Sequence, residues 1–379
     1  MTPARPRGAR HLVGPARIVV IGGGIAGVSV AAELATSAAV ILLEAETALA
    51  HHTTGRSAAM YLPGYGNAVV RTLTLASRVD FDALSDEAGT PILTPRATMW
   101  VGGPDDDAVL RSLAAENEVV RRIDGDEVVA RCPHLRRDRI GGGVVDDAGS
   151  DIDVGVLHQA YVRRLTGAGG TIERSARVTA IERLPAGGWR VSAGARTWDA
   201  DLLVDAAGAW ADEVAVLAGQ RPVGLRPLRR TLFTSPVAAE VAPSPLVVDA
   251  QERWYVRVDA GVALVSPADE TPSPPCDARP EELDVARALE AVNEVSTLGL
   301  RSVRTAWAGL RTFAPDRSPV AGPPADDPTF AWSAGQGGYG LQMAPALARS
   351  VAALALGQPL PPDVPLDPAH LSPDRFSTP

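Results

Sequence analysis

The stretch RIVVI-GGGIAG-VSVAAELA near the start of the chain leaves the backbone few alternatives. Arg17–Ile21 is a short apolar run suited to a strand buried on both faces. Gly22, Gly24 and Gly27 follow with G-x-G-x-x-G spacing, and VSVAAELA then reads as a helix. A second buried strand, Val40–Leu43, ends in Glu44, 17 residues after Gly27. Each part has a physical purpose in binding a dinucleotide. Gly22 permits the tight turn, Gly24 lets the backbone approach a pyrophosphate, and Gly27 lets helix and strand pack closely. The helix N-terminus offers unpaired N–H groups to phosphate, and Glu44 offers acceptors to ribose hydroxyls. Glu44 also disfavours the 2′-phosphate of NADP, while its position suits NAD and FAD alike.

Composition removes several other chemistries. The chain has no lysine, so all 36 basic residues are arginine. That excludes Schiff-base chemistry, a pyridoxal-phosphate anchor and a P-loop lysine. The two cysteines, Cys132 and Cys276, stand 144 positions apart, so neither a thiolate metal centre nor a disulfide framework is expected. A formal net charge of −9 argues against general nucleic-acid binding, which needs a basic face. Apolar runs break well short of the roughly 18 residues that a membrane span requires. Residues 1–16 lack the apolar core of a secretory signal and read as a disordered extension, so the expected location is cytoplasmic.

The length, 379 residues, suggests two domains. His51–Ala59, HHTTGRSAA, suits a loop lying along a cofactor, and a helix is expected over Thr72–Asp82. RVTAIER, WRVSA and TWDADLLV read as a meander feeding a buried strand that ends in Ala206-Ala207-Gly208. A helix over 211–218 should follow, stopped by Gly219. Near the C-terminus, Thr329–Ser333 is a strand, and Gly335, Gly337, Gly338 and Gly340 precede a long helix closed by Gly357. Those glycines let backbone approach something flat or charged, and the helix aims its positive end there. Segments 91–150 and 226–318 differ, with Pro-rich breaks, the hairpin WYVRV-DAG-VALV and a helix over 280–295. The expectation is an α/β chain (α+β overall). A Rossmann-like FAD- or NAD-binding domain would be built from 17–90, 151–225 and 319–379, with a sheet-based substrate domain from 91–150 and 226–318.

Together VVIGGGIAG…LLEAE, DAAGAWAD and SAGQGGYGLQ resemble the FAD-dependent D-amino-acid oxidase/glycine oxidase/sarcosine oxidase superfamily, over about residues 17–375. Within it the likeness is nearest to bacterial D-arginine dehydrogenases. HTTGRSAA, YGNAVVRTLTLASR, DIDVGVLHQAYVRR, RPVGLRPLRR, AWAGLRTF and GQGGYGLQ carry it. The resemblance implies noncovalent FAD, because Gly309 stands where covalent members carry the flavin-linked Cys. It places the cofactor against Gly22, Gly24, Ala26, Gly27, Glu44, Ala45, Thr53, Thr54, Gly55, Arg56, Ser57, Ala58, Ala59 and Val178. Ala207, Gly208, Gly337, Gly338, Gly340, Leu341 and Gln342 complete that set.

By the same analogy Arg230 (with Arg229 as the alternative) and Arg311 hold a substrate carboxylate, Tyr65 and Tyr255 touch substrate, and the Gly338 carbonyl receives its amine. A planar guanidinium suits a carboxylate clamp. Met60 replaces a substrate-contacting His of the relatives, and Thr98 replaces a Glu that pairs with a cationic substrate side chain. A pocket so altered should favour neutral or apolar D-amino acids, although neighbouring Arg96 could favour an anion. The implied reaction is hydride transfer from the α-carbon to flavin N5, followed by hydrolysis of the imino acid to a 2-oxo acid and ammonia. A quinone-like carrier or oxygen would accept the electrons. The alternative is the same fold acting on N-methyl amino acids, glycine or 2-hydroxy acids, as oxidase or dehydrogenase.

Overall fold

Strand β1 (Arg17–Ile21) lies inside a six-stranded sheet because both its faces are apolar. Val19 and Ile21 enter one core, Ile18 and Val20 the other, and none is more than 6% exposed. The computed structural model in which this is seen describes residues 16–115 and 117–376. The extension expected over 1–16 falls outside those residues except for residue 16.

The sheet runs Val320–Gly322, Phe330–Ala334, Leu202–Asp205, β1, β2 (Ala39–Leu43) and Thr171–Glu173. All pairings are parallel except the Val320–Gly322 edge. Helix α1 (Ile25–Leu34) packs on one face with the helices Val154–Gly167 and Gly340–Ala355. The antiparallel meander Ala180–Arg183, Trp189–Ala193, Arg196–Ala200 covers the other, with Trp189 and Val191 fully buried. Parallel strands covered on both faces read as continuous apolar runs, which is why they were visible in the sequence.

Two expected elements divide. TWDADLLV breaks at Asp201, whose carboxylate accepts the Arg17 N–H (2.9 Å) and pairs with the Arg17 guanidinium. The residues before it close the meander, and those after it enter the six-stranded sheet. The helix expected over Thr72–Asp82 is two helices, Ala68–Ala76 and Arg78–Ala88, meeting at Ser77. Pro345 interrupts the hydrogen-bond ladder of Gly340–Ala355, and the buried Ser77 hydroxyl accepts the N–H of Ala346 at 3.1 Å.

A ten-stranded sheet forms the second layer. Its longest pair, Arg226–Pro236 and Thr305–Phe313, is antiparallel, with Arg230 opposite Gly309 and Leu228 opposite Arg311. The hairpin strands Tyr255–Asp259 and Val262–Ser266 extend it, followed by Leu246–Asp249, Thr98–Gly102, Gly142–Asp146 and Arg121–Asp124. Gln336–Gly337, from the C-terminal glycine-rich turn, pairs with Thr312 and Phe313 and joins this sheet to the first. Val256, Val258 and Phe233 face a core covered by the helix Glu282–Val295, and Tyr255, Leu232 and Trp100 point to the opposite side. The chain is an α/β protein (α+β overall), with a nucleotide-type parallel sheet beside a large mixed sheet.

Candidate active site

A cleft runs from the carboxyl ends of β1, β2 and Leu202–Asp205 to the face of the large sheet that carries Arg230, Tyr255 and Arg311. In open α/β sheets this is where ligands approach.

At the nucleotide end the glycine turn is tightly packed. Gly22 has φ +114°, and a Cβ there would fall 2.3 Å from the Ala206 carbonyl oxygen. A Cβ on Gly27 would meet the Gly22 oxygen at 1.8 Å, so Gly27 supports the turn from beneath without lining the cleft. Gly24 and Ala26 line it at the start of α1, where helix N–H groups lack intrahelical acceptors. Gly24 offers no side-chain cap, and the Thr54 hydroxyl accepts the Ile25 N–H instead, at 3.0 Å. Glu44 accepts the N–H groups of Gly23 (2.7 Å) and Glu46 (2.8 Å) while lining the cleft.

Ala45, Thr53, Ser57, Ala58, Val178, Ala207 and Gly208 also line it. The Thr53 hydroxyl donates to the Leu310 carbonyl at 2.8 Å. Arg56 lines the wall, but its guanidinium is spent on Asp277 and on the carbonyls of His51, Ala278 and Ala308. Gly55 and Ala59 stand just outside: a Cβ on Gly55 would meet the Ala50 oxygen at 2.5 Å, and Ala59 sits at φ +56°.

The glycine-rich turn before the last helix forms the far wall. Gly337 lies over the Phe313 ring, and Gly338 lies so close to Arg311 that a Cβ would fall 2.7 Å from Cζ. Gly340 and Leu341 open a 16-residue helix without a side-chain cap, directed into the cleft. Gln342 turns away, 3% exposed, and donates to the Thr74 hydroxyl at 2.9 Å.

Arg230 and Arg311 are diagonal neighbours on one face of the large sheet. Arg230 is 5% exposed; its Nε donates to the Asp269 carbonyl (2.8 Å) and one Nη to Glu270 (3.2 Å). Burial and the like charge of Arg311 lower its pKa. Arg311 has no ion pair with a carboxylate among the described residues, although most of the chain's arginines do. Arg229 faces the other side, among Asp269, Glu281 and Asp284. Tyr255 is 6% exposed, and its hydroxyl has no partner among the described residues. Tyr65 packs edge-on against Tyr339 at 5.1 Å, and burial pushes its pKa up.

Met60 sits behind this wall with Trp100 and Trp307, its sulfur 3.4 Å from an Nη of Arg257. Thr98 is fully buried on the same side of the sheet, away from the cleft lining, with an unpartnered hydroxyl. Arg96 is committed to Asp151, Asp259 and the Ser244 carbonyl.

Three further groups matter that motif reading missed. His158, on Val154–Gly167, places Nε2 3.0 Å from the Gly23 carbonyl. Burial lowers its pKa, and the acceptor identifies Nε2 as the protonated nitrogen of a neutral ring. Glu270 and Arg317 brace Arg230 from outside the cleft. His158 falls in the DIDVGVLHQAYVRR stretch, but no residue spacing gives it or the other two a role, so it is the tertiary structure that reveals them.

The donor set suits a flavin dinucleotide. Two helix N-termini converge on the cleft, and Glu44 stands at the end of β2. The buried hydroxyls of Thr312 and Ser333, both lining the cleft, have no partner among the described residues. Such orphaned groups are costly unless a ligand meets them.

Over residues 17–354 the sequence matches the family described as FAD dependent oxidoreductase. Glycerol-3-phosphate dehydrogenase 1 of Mycobacterium bovis is 28% identical over 337 residues, 78% of this chain and 62% of that protein. The chain therefore spans less than two thirds of the length of that curated relative. Glycine oxidase from Geobacillus kaustophilus shares the fold with a TM-score of 0.82 at 20% identity, covering 94% of this chain and 98% of that one. L-α-glycerophosphate oxidase from Mycoplasma pneumoniae, a structure with FAD bound, gives 0.80 at 19% identity, covering 91% and 95%. The chain belongs to the FAD-dependent oxidoreductase family, with FAD as its cofactor.

Proposed function

We propose that the protein oxidises the CH–NH2 group of D-amino acids with neutral or apolar side chains, giving imino acids that water hydrolyses to 2-oxo acids and ammonia. The observation that carries this reading is the pair Arg230 and Arg311, diagonal on one sheet face at the end of the cofactor cleft, with Arg311 lacking a carboxylate partner. A substrate carboxylate held between them would fix the α-carbon in the cleft. The bound flavin supplies an electron sink for the hydride of that carbon. The Tyr255 hydroxyl and the Gly338 carbonyl would orient the substrate's polar groups. Acidic and histidine side chains that line the cleft, Glu44, Glu46, His51, His52 and Glu213, follow β2 or belong to the Ala211–Leu217 helix, at the nucleotide end. Glu270, beside Arg230, does not line the cleft, so among the described residues no acid or histidine side chain faces the substrate there; the amine enters neutral, and turnover rises with pH as free amine accumulates.

Apolar Leu232, which lines the cleft beside Tyr255, supports a neutral or apolar side chain. Segments 17–90, 151–225 and 319–379 would hold FAD, and 91–150 with 226–318 the substrate. Gly309 lines the cleft where covalent relatives carry Cys, which supports noncovalent FAD. The acceptor of electrons would be a quinone-like carrier or oxygen.

A second reading keeps the site and changes the substrate to N-methyl amino acids, glycine, 2-hydroxy acids or glycerol phosphate. The arginine pair favours it equally, since it reads an anion and not the atom being oxidised. Anaerobic loss of the oxidised flavin absorbance separates the two. Bleaching by neutral D-amino acids supports the first; bleaching only by secondary amines, hydroxy acids or glycerol phosphate supports the second.

A further inference from the structure

Arg317 is an L-residue held at φ +61°, in the left-handed region that favours glycine. Strain of this kind persists only where surrounding interactions hold it. Here they are specific. The guanidinium stacks over the Phe313 ring, 3.8 Å from its centroid, and grips Glu270 with both ends: Nη1 to Oε2 at 3.1 Å and Nη2 to Oε1 at 2.9 Å. The same Oε1 receives a single, longer bond of 3.2 Å from Arg230. Burial would raise the Glu270 carboxyl pKa, yet Arg317 and Arg230 hold it below the ordinary range, so it is an anion shared by two cations.

We propose that Arg317 is a positioning residue for substrate binding, drawing Glu270 away from Arg230 so that Arg230 keeps its positive charge for the substrate anion. The inference rests on the reading that Arg230 and Arg311 hold a carboxylate. Without Arg317, Glu270 would be free to form a bidentate pair with Arg230, the strongest geometry available to both. That pair would neutralise half of the clamp before substrate arrived. With Arg317 present, Arg230, Arg311 and Arg317 face one anion, Glu270, and the group keeps two positive charges. Arg230 keeps its remaining N–H groups as well, because its Nε is already anchored on the Asp269 carbonyl.

The test uses the FAD-loaded protein and benzoate, a simple carboxylate whose binding is read from perturbation of the flavin spectrum. Arg317→Gly removes the guanidinium and relieves the backbone strain, so it should fold at least as well as the parent. The benzoate dissociation constant should rise about tenfold, the size of one lost unit of charge near a partly screened ion pair. With the amino-acid substrate, KM should rise and kcat should hold. Arg317→Lys should recover part of the affinity. The decisive variant is R317G/E270Q, which should bind benzoate more tightly than R317G, because the freed carboxylate can no longer neutralise Arg230. Parent-like benzoate affinity in R317G, no recovery in R317G/E270Q, or no carboxylate binding by the parent would each overturn the proposal. Binding is scored without turnover, so an error in the proposed reaction would appear separately, as failure of amino acids to bleach the flavin.

Discussion

The Nε2 of His158 lies 3.0 Å from the carbonyl oxygen of Gly23, tying the nucleotide loop to a helix more than a hundred residues further along the chain. The same oxygen accepts the Ala50 N–H at 3.1 Å. With both bonds made, the carbonyl oxygen is satisfied within the protein and the loop is fixed to the Val154–Gly167 helix. His158→Gln can preserve the donor, whereas His158→Leu cannot. Losing a bond to a buried carbonyl costs about 1–3 kcal/mol. The Leu variant should therefore release FAD more readily than the Gln variant, as measured by flavin fluorescence in the ultrafiltrate. Because burial depresses the His158 pKa, its contribution to stability is present above the unfolded pKa and is lost as pH falls below about 6.5.

Asp205 presents the opposite sign. It is fully buried at the end of its strand; one carboxylate oxygen accepts the Ala207 N–H at 3.0 Å, and the other has no partner among the described residues. Burial raises its pKa well above the ordinary value. The native state therefore holds a proton that the unfolded chain releases, and stability falls as pH rises from the unfolded pKa through the folded one. Asp205→Asn can keep the bond to Ala207 and removes the titration. Thermal melts between about pH 5 and 8 should show the variant gaining on the parent as pH increases. Equal differences at all pH values would exclude this account of Asp205.

Gly27→Ala tests the turn itself. Its Cβ would fall 1.8 Å from the Gly22 oxygen, a backbone atom without a flexible end to yield. Overpacking costs about 1–3 kcal/mol or more. Both a lower melting temperature and lower flavin content are expected, and an unchanged flavin content would show that the turn adapts.

Much of this was legible before the structure. The strand–turn–helix at Arg17–Leu34 and the Gly335–Gly340 unit are local patterns, whose backbone demands are written in glycine spacing. The hairpin around Asp259–Gly261 and the helix stop at Gly219 follow from the same chemistry. What stayed hidden depends on distant partners. Ser77, where two helices meet, spends its hydroxyl on the N–H of Ala346, next to Pro345 and far along the chain. Gln342 lies in the stretch that resembles the cofactor site but turns to Thr74, since on that helix its neighbours are core residues. Arg229 and Arg230 look equivalent in sequence; the alternation of a strand sends one to a cluster of acids and the other to the cleft.

The most direct measurement is anaerobic stopped-flow reduction of the FAD in Arg311→Met by the D-amino acid that best reduces the parent. The expected result is unchanged flavin content, with reduction at least about a hundredfold slower or substrate binding weakened to match, as loss of a bidentate charged clamp implies. Reduction at the parent rate and affinity would contradict the claim that this arginine holds the substrate.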